Sequence, residues 1–185
     1  GIEGIVVPLR SGMTVPTNNN FISSDLSQTT GLLSTGTEYI DTGLTTLDFT
    51  ITDASFSTHI TTLGNIGGYY MGAFSGSDLM HLYHNTGNTA RTSLFGSLYF
   101  PGTSLATGLY GSTRTGTTEA VRVNDTATSR TSTASAPASA AVSVFATSSL
   151  AKISARLATY HAGPALNLAT LEALQDTLIS EIAAI

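Results

Sequence analysis

Residues 153–185 read ISARLATYHAGPALNLATLEALQDTLISEIAAI, and the hydrophobic period of this stretch changes in its middle. Ile153, Ala155 and Leu157 alternate with more polar positions, which is the two-residue repeat of a β-strand. Gly163-Pro164 then interrupts the chain. Beyond it, apolar residues recur at spacings of three and four, as on one face of a helix, at Leu168, Leu171, Leu174, Leu178, Ile182 and Ile185. The stretch therefore predicts a last strand and one terminal helix over residues 167–184, with Asn167 as its N-cap.

Upstream of this stretch, β-type runs alternate with turn residues every 8–12 positions. The runs predicted as strands are 37–42, 47–51, 56–63, 69–74, 79–83, 93–100, 105–113, 119–123 and 142–146. Small residues at 129–141 predict a loop with at most one edge strand. About ten to twelve strands and one helix predict an all-β fold, a two-sheet antiparallel jelly-roll sandwich with one C-terminal α-helix.

Two segments are predicted within this single domain. Residues 1–20 carry the apolar run Ile5-Val6-Val7, followed by Pro8, Gly12 and Pro16, and are predicted to form an N-terminal arm or linker. Residues 21–185 are predicted to form the sandwich with its helix. A chain of 185 residues is long enough for one domain with a hydrophobic core.

The composition excludes several classes of function. Charged residues make up 10% of the chain, against about 25% in typical domains. The net charge is −5 and the seven basic residues are scattered, which argues against a nucleic-acid partner. Without cysteine the chain has neither disulfides nor thiolate metal sites. No window holds the ~18 consecutive apolar residues of a membrane-spanning helix.

Several segments together resemble bacteriophage virion and tail-associated proteins with a concanavalin A-like, laminin-G-like domain. They are PLRSGMTVPTNNNFISSDLSQTTGLLSTGTEYIDTG (8–43), GSTRTG (111–116), VRVND (121–125), SVFATSS (143–149) and RLATYHAGPALNLATLEAL (156–174). His161-Ala162 stands where the group more often has Ser-Ile. The resemblance implies a structural component at the particle surface or tail, with a lectin-like fold. It does not imply sugar binding, because this fold hosts many functions.

Metal binding has two sets of candidate ligands. His81 and His84 are three residues apart on a predicted strand, so they should point to opposite faces as two partly exposed histidines and not share a metal. A laminin-G-like domain can hold calcium on loop carboxylates, and the candidates are Asp41, Asp48, Asp53, Asp78 and Asp125. Each stands alone at a turn, where an aspartate ordinarily caps its own backbone. No cofactor is therefore expected, with calcium as the alternative.

Catalysis finds little support in the sequence. A glycosidase needs two facing carboxylates, and the five glutamates include no E-x-D-x-x-E pattern; Glu38 and Asp41 come nearest. The serines lie in Ser/Thr-rich turns without a G-x-S-x-G motif. Arg114 and Arg122 are expected to pair with carboxylates. A polysaccharide-degrading enzyme is the lesser alternative.

Aromatic and amide residues give a second functional hypothesis, a glycan-binding module for host-surface recognition. The residues predicted to contact a glycan by stacking and hydrogen bonding are Tyr69, Tyr70, His81, Tyr83, Asn85 and Arg91. Packing of these aromatics in the core is the competing interpretation.

The leading hypothesis is a non-enzymatic virion structural protein that acts through assembly, as a capsid decoration or a tail or fibre appendage. Its expected partners are other virion proteins and further copies of itself. The residues predicted to form the assembly surface are Ile5, Val7, Leu178, Ile182 and Ile185. Packing of the helix on its own sandwich is the alternative to this assembly role.

Overall fold

The computed structural model describes residues 15–75, 78–136, 138–147 and 152–184. Thirteen β-strands and one α-helix lie in these ranges. The strands are β1 (Thr17–Asn19), β2 (Leu26–Ser27), β3 (Gly31–Thr35), β4 (Tyr39–Thr45), β5 (Asp53–Thr62), β6 (Tyr69–Ser75), β7 (Asp78–Asn85), β8 (Thr89–Gly96), β9 (Gly108–Thr115), β10 (Thr118–Val123), β11 (Thr126–Thr131), β12 (Ala141–Val144) and β13 (Ser154–Gly163). The helix is α1 (Leu168–Ala183).

The strands form two antiparallel sheets, which confirms the predicted two-sheet sandwich. The six-stranded sheet has the order β1-β4-β12-β6-β7-β8, and the seven-stranded sheet has the order β11-β10-β9-β5-β13-β3-β2. The edge strand β1 lies within the stretch predicted as an arm and pairs with β4. Ile5, Val7 and Ile185, which were predicted as assembly contacts, lie outside the described residues.

The core lies between the two sheets and follows from the alternation of each strand. Phe56 and Ile60 of β5 lie in one buried cluster with Met80 and Leu82 of β7. Each such side chain contributes about 1.5–3 kcal/mol when its apolar surface leaves water. The Tyr110 ring, which is wholly buried, packs at right angles to Tyr70 with centroids 6.0 Å apart. The inner faces therefore hold the sheets together, and the outer faces remain for other contacts.

The predicted hairpin of 69–74 and 79–83 is confirmed, but the strand predicted at 47–51 is wrong. Thr46–Asp48 form a single turn of 3-10 helix. Its cause is local: the Asp48 carboxylate accepts hydrogen bonds from the Thr45 backbone N–H at 2.6 Å and from its hydroxyl at 2.9 Å. These capping bonds turn the chain, although Leu47, Phe49 and Ile51 alternate as in a strand.

The terminal helix begins and ends as predicted. Asn167 caps it, and its Oδ1 accepts from the N–H groups of Ala169 and Thr170 at 3.0 and 3.1 Å. The helix packs on the outer face of the seven-stranded sheet, where Leu168 covers Gly111. Ser57, on the same outer face, accepts a hydrogen bond from Gln175 at 3.3 Å.

The prediction of a single apolar stripe on this helix is wrong in part. Leu168 and Gln175 are buried, whereas Leu174, Leu178 and Ile182 are exposed. The sheet beneath the helix is lined by small and polar residues, so a glutamine suits this contact. The leucines on the flank of the helix are therefore left in water.

Candidate functional site

The outer face of the six-stranded sheet carries most of the predicted glycan contacts. Tyr69, Tyr83 and Arg91 lie directly opposite one another on β6, β7 and β8. Gly72 and His81 form the next row on the same face. Directly paired residues of an antiparallel sheet share a face, so these positions form one continuous patch. We call the four side chains Tyr69, His81, Tyr83 and Arg91 the aromatic patch.

The rings of the aromatic patch pack closely together. Tyr69 and Tyr83 have centroids 4.6 Å apart, and the His81 ring stands edge-on to Tyr69 at 5.4 Å. The Arg91 guanidinium lies 4.1 Å from the centre of the Tyr83 ring and 5.7 Å from that of Phe100, which is 54% exposed. A guanidinium held over aromatic rings in this way is stabilised by cation–π attraction. The patch thus joins aromatic surface to one positive charge.

Two residues that were predicted to contact a glycan, Tyr70 and Asn85, do not join the aromatic patch. Tyr70 directly follows Tyr69 in β6, so its side chain points to the opposite face and into the core, where it is wholly buried. Burial raises the pKa of Tyr70 to about 12, although a hydrogen bond from the Gly64 N–H opposes the shift. Tyr70 is therefore wrong as a surface contact. Asn85 stays on the face of the patch, but its amide bonds the Thr89 hydroxyl at 3.3 Å.

His81 and His84 point to opposite faces, as predicted, but the expectation that they are partly exposed is wrong. Their exposed fractions are 0% and 2%. The His84 Nε2 lies 2.7 Å from Asn88 Oδ1, and its Nδ1 lies 3.4 Å from the Tyr70 hydroxyl. His84 therefore belongs to a satisfied hydrogen-bond network between the sheets, with no vacancy for a metal.

His81, in contrast, is buried without any hydrogen-bond partner on either ring nitrogen. Burial and, secondarily, the charge of Arg91 lower its pKa to about 3, so the ring is neutral at neutral pH. The Thr147 hydroxyl and the Arg91 Nε are also buried and unpartnered. Thr147 stands over Gly72: a Cβ at position 72 would lie 3.4 Å from the Thr147 Cβ and 3.1 Å from that of His81. Each buried, unpaired polar group costs about 1–3 kcal/mol.

The carboxylates considered for calcium are separated and engaged elsewhere. Asp41 accepts from the Gly43 N–H at 2.9 Å and Asp53 from the Ala165 N–H at 2.7 Å. Asp48 caps its own turn, and Asp125 contacts Arg122 at 3.4 Å. The side chain of Asp78 lies outside the described part of the chain. Within the described ranges, no three metal-ligating side chains come together.

Glu38, which with Asp41 comes nearest to a catalytic carboxylate pair in the sequence, is held by local hydrogen bonds. Burial acts to raise its pKa, but this effect is outweighed by hydrogen bonds from Thr35 and Thr37, which lower the pKa to about 2. The Thr35 N–H and the Thr37 hydroxyl donate to it at 2.7 and 2.5 Å. Glu38 is thus an ionised turn-capping group, unsuited to donating a proton.

Glu119 forms a buried charge network that sequence reasoning located only in part. The expected pairing of Arg114 with a carboxylate is confirmed, at 3.4 Å from Glu119, and Arg130 binds the same oxygen at 2.6 Å. Burial raises the pKa of Glu119, although both guanidinium groups oppose the shift. The three residues face one another on β9, β10 and β11, so they connect strands and line no cleft. The pairing of Arg122 is also confirmed, with Glu172 at 2.6 Å.

Ser55 and His161 form a contact that sequence reasoning missed. The His161 Nε2 lies 2.9 Å from the Ser55 hydroxyl, a distance typical of a nucleophile and its base. However, the hydroxyl donates its proton to the Pro164 carbonyl at 2.6 Å. Burial also lowers the pKa of His161. The pair therefore fixes the turn after β13 and does not activate the serine.

A shallow cleft of about 480 Å³ separates α1 from the loop that contains Asn124. Its carboxylates Glu172 and Asp125 share Arg122. Asp176 lies 3.5 Å from His59, but burial lowers the pKa of His59, so this histidine does not neutralise it. The lining of the cleft therefore carries a net negative charge, and its cation is already paired.

No helix in the described part of the chain has the length and apolar character needed to cross a membrane. Comparison of the chain with protein-family models, with curated proteins and with solved structures finds no match to any of them.

Proposed function

We propose that the chain is a non-enzymatic structural subunit of a bacteriophage particle, as a capsid decoration or as part of a tail or fibre appendage. It works by assembly with copies of itself and with other virion proteins. The observation that carries the proposal is the helix ridge, which we define as Leu174, Leu178 and Ile182, exposed by 63%, 45% and 38%. Apolar side chains grouped in water favour association, because burying them is worth about 25 cal/mol per Å².

A second copy of this chain is the partner that fits the helix ridge. Residues four apart form a straight ridge that can interdigitate with an identical ridge across a two-fold axis. The acidic residues Glu172 and Asp176 turn toward the sheet, where they contact Arg122 and His59. Glu181 is the charged residue of α1 that remains near the ridge. Repulsion between two copies is therefore small, although the net charge is −5.

The oligomeric state tests this part of the proposal. We expect the wild-type chain to be a dimer, and the pair Leu174→Gln with Leu178→Gln to dimerise at least about a hundredfold more weakly, because each dimer loses four buried leucines. Size-exclusion chromatography with light scattering over a range of concentrations measures this. Leu47→Gln is the matched control, since Leu47 is also 63% exposed but lies on the 3-10 turn. A monomeric wild type, or an equal effect of the control, would overturn the helix-to-helix dimer.

The setting in a phage particle rests on the resemblance of residues 8–43, 111–116, 121–125, 143–149 and 156–174 to virion proteins. Mass spectrometry of purified particles of the phage that encodes the chain, followed by antibody labelling, tests it. We expect a fixed number of copies at the particle surface or tail. Absence of the chain from the purified particles would refute the virion setting.

Glycan binding for host recognition is a second candidate, favoured by the aromatic patch. The patch lies on the sheet face opposite the core, away from the helix, and Phe100 adds exposed ring surface beside Arg91. Sugars stack on such rings through their C–H faces. We expect a glycan array to give a signal for the wild type that Tyr83→Ala abolishes and Leu47→Gln leaves intact. An array without signal at high protein concentration would remove this candidate.

A further inference from the structure

Arg91 differs from the other arginines that the structure describes. Arg114, Arg122 and Arg130 each contact a carboxylate, and Arg156 donates to the Gly31 carbonyl at 2.7 Å. Among the described residues Arg91 has neither kind of acceptor. Its guanidinium is held by the Tyr83 and Phe100 rings and interacts with the Tyr69 hydroxyl. Stacking fixes the plane of a guanidinium while its edge remains available to a carboxylate.

Unpaired polar groups accompany this arginine on the same face. The Arg91 Nε, both His81 ring nitrogens and the Thr147 hydroxyl are buried and lack protein partners. Gly72 leaves the space in which Thr147 and His81 approach each other. These atoms have almost no accessible surface, so a ligand would meet the patch at the Arg91 guanidinium and at the Tyr83 and Phe100 rings and not at these atoms.

The position of the aromatic patch on the sheet favours a saccharide over an extended peptide. Peptides that add to a sheet bind at a free edge through their backbone. The patch is centred on β7, whose backbone is paired on one side with β6 and on the other with β8. Arg91 lies on the edge strand β8, but beside it the backbone of β8 is already bonded to Tyr99 and Thr103. Recognition here must use side chains, and rings beside polar groups suit a pyranose.

We propose that the aromatic patch binds an acidic saccharide, whose carboxylate is held by the Arg91 guanidinium and whose ring stacks on Tyr83 beside Phe100. This inference rests on the second candidate function, glycan binding, and is independent of the assembly through the helix ridge. It adds the chemical class of the ligand: a sugar with a carboxylate, in preference to its neutral counterpart.

Two trisaccharides that differ only at C6 test the preference. The probes are α-1,4-linked trigalacturonic acid and α-1,4-linked galactotriose, and titration calorimetry at low salt measures both affinities. We expect the acidic probe to bind the wild type at least about tenfold more tightly, because charge-assisted hydrogen bonds are stronger than neutral ones. Arg91→Gln should abolish the difference. Arg91→Lys should keep part of it, because the charge remains but the planar fork is lost.

Lys152→Gln is the matched control. Lys152 also lies over a tyrosine ring of the six-stranded sheet, 5.1 Å from the centre of Tyr39, so the variant loses the same charge outside the aromatic patch. It should retain the preference. Chemical-shift mapping with unmodified protein, which needs no variant, should place the acidic probe on β7 and β8. Equal binding of both probes, or a preference that survives Arg91→Gln, would refute the inference while glycan binding stands. If neither probe binds or shifts any resonance, the inference fails, and a glycan array without signal would show that glycan binding fails with it.

Discussion

Replacement of Glu119 by leucine should destabilise the fold strongly, because one buried carboxylate serves three groups. Its Oε1 accepts from the Leu94 N–H at 3.0 Å. Its Oε2 accepts from Arg130 at 2.6 and 3.1 Å and lies 3.4 Å from the Arg114 guanidinium. Glu119 and Arg114 are both wholly buried. Leucine has a similar volume, so the substitution removes the acceptor without creating a large cavity.

The expected cost follows from the partners left behind. Removing one member of a buried ion pair typically costs about 3–5 kcal/mol, since the remaining charge stays away from water. Arg114 keeps hydrogen bonds to the Leu94 and Ser132 carbonyls, and the same burial that raises the pKa of Glu119 is a desolvation cost that the variant avoids. We therefore expect a value near 3 kcal/mol, out of a total of about 5–15 kcal/mol. The melting temperature should fall by roughly 6–12 °C.

Urea unfolding at neutral pH, followed by circular dichroism, measures the change. Asp125→Asn is the control, because its contact with Arg122 is also 3.4 Å long but its side chain is fully in water. Such a surface pair contributes about 0–1 kcal/mol. A loss below 1 kcal/mol for Glu119→Leu would show that desolvation of the carboxylate cancels its attraction to both arginines, and would refute the reasoning.

Three further predictions use the same unfolding assay. Gly31→Ala should cost more than about 2 kcal/mol, because φ is +85° and a Cβ would overlap the Leu157 carbonyl, whereas Gly87→Ala, at φ +71° in open space, should cost only about 1 kcal/mol; equal losses would contradict the overlap. His81→Leu should raise stability at pH 7 by about 1 kcal/mol by removing unpaired polar atoms. The wild type should lose stability as pH falls below 6.5, because the folded pKa of His81 is about 3 and the unfolded chain takes up the proton first. His81→Leu should not show this loss, and an unchanged pH profile would argue against a buried neutral ring. Glu38, with its folded pKa at about 2, contributes stability above pH 4.5 that is lost as pH falls toward 2, and Glu38→Gln should flatten the profile in that window and leave it unchanged above pH 6.

The spacing of apolar residues along the chain predicts much of the fold, because strand alternation and helix-capping residues are local signals. The hairpin of β6 and β7 and the change from β13 to a capped helix are examples. At residues 47–51 the alternation misleads, since a capping hydrogen bond between Asp48 and Thr45 competes with strand pairing. The buried face of α1 also escapes prediction: the surface of the sheet beneath it, and not the apolar repeat, decides that Gln175 is buried and Leu174 is not.

The candidate site depends on the register in which neighbouring strands pair. The sequence indicates this register only for strands that follow each other in a hairpin. Tyr69, His81 and Tyr83 are close in one hairpin, so their grouping could be anticipated. Tyr70 directly follows Tyr69, so strand alternation alone places it on the opposite, inner face, and the two tyrosines cannot both belong to the patch. The contact of Ser55 with His161 joins positions 106 residues apart and becomes visible only when β5 and β13 are paired.

The contact between α1 and its sheet has a consequence for the order in which the molecule opens. The helix is attached by Arg122 to Glu172, by Gln175 to Ser57 and by the side chain of Leu168. Asp176 also contacts His59, and Gln28 donates to the Ile182 carbonyl at 3.0 Å. Lifting it would expose few apolar groups of the sheet, so this opening should need much less free energy than separating the two sheets. Backbone amides of α1 should then exchange with solvent earlier than those of β5 and β13, and salt should hasten this exchange. We therefore expect the terminal helix to open as a separate cooperative unit, so that it can change its surroundings while the sandwich stays folded.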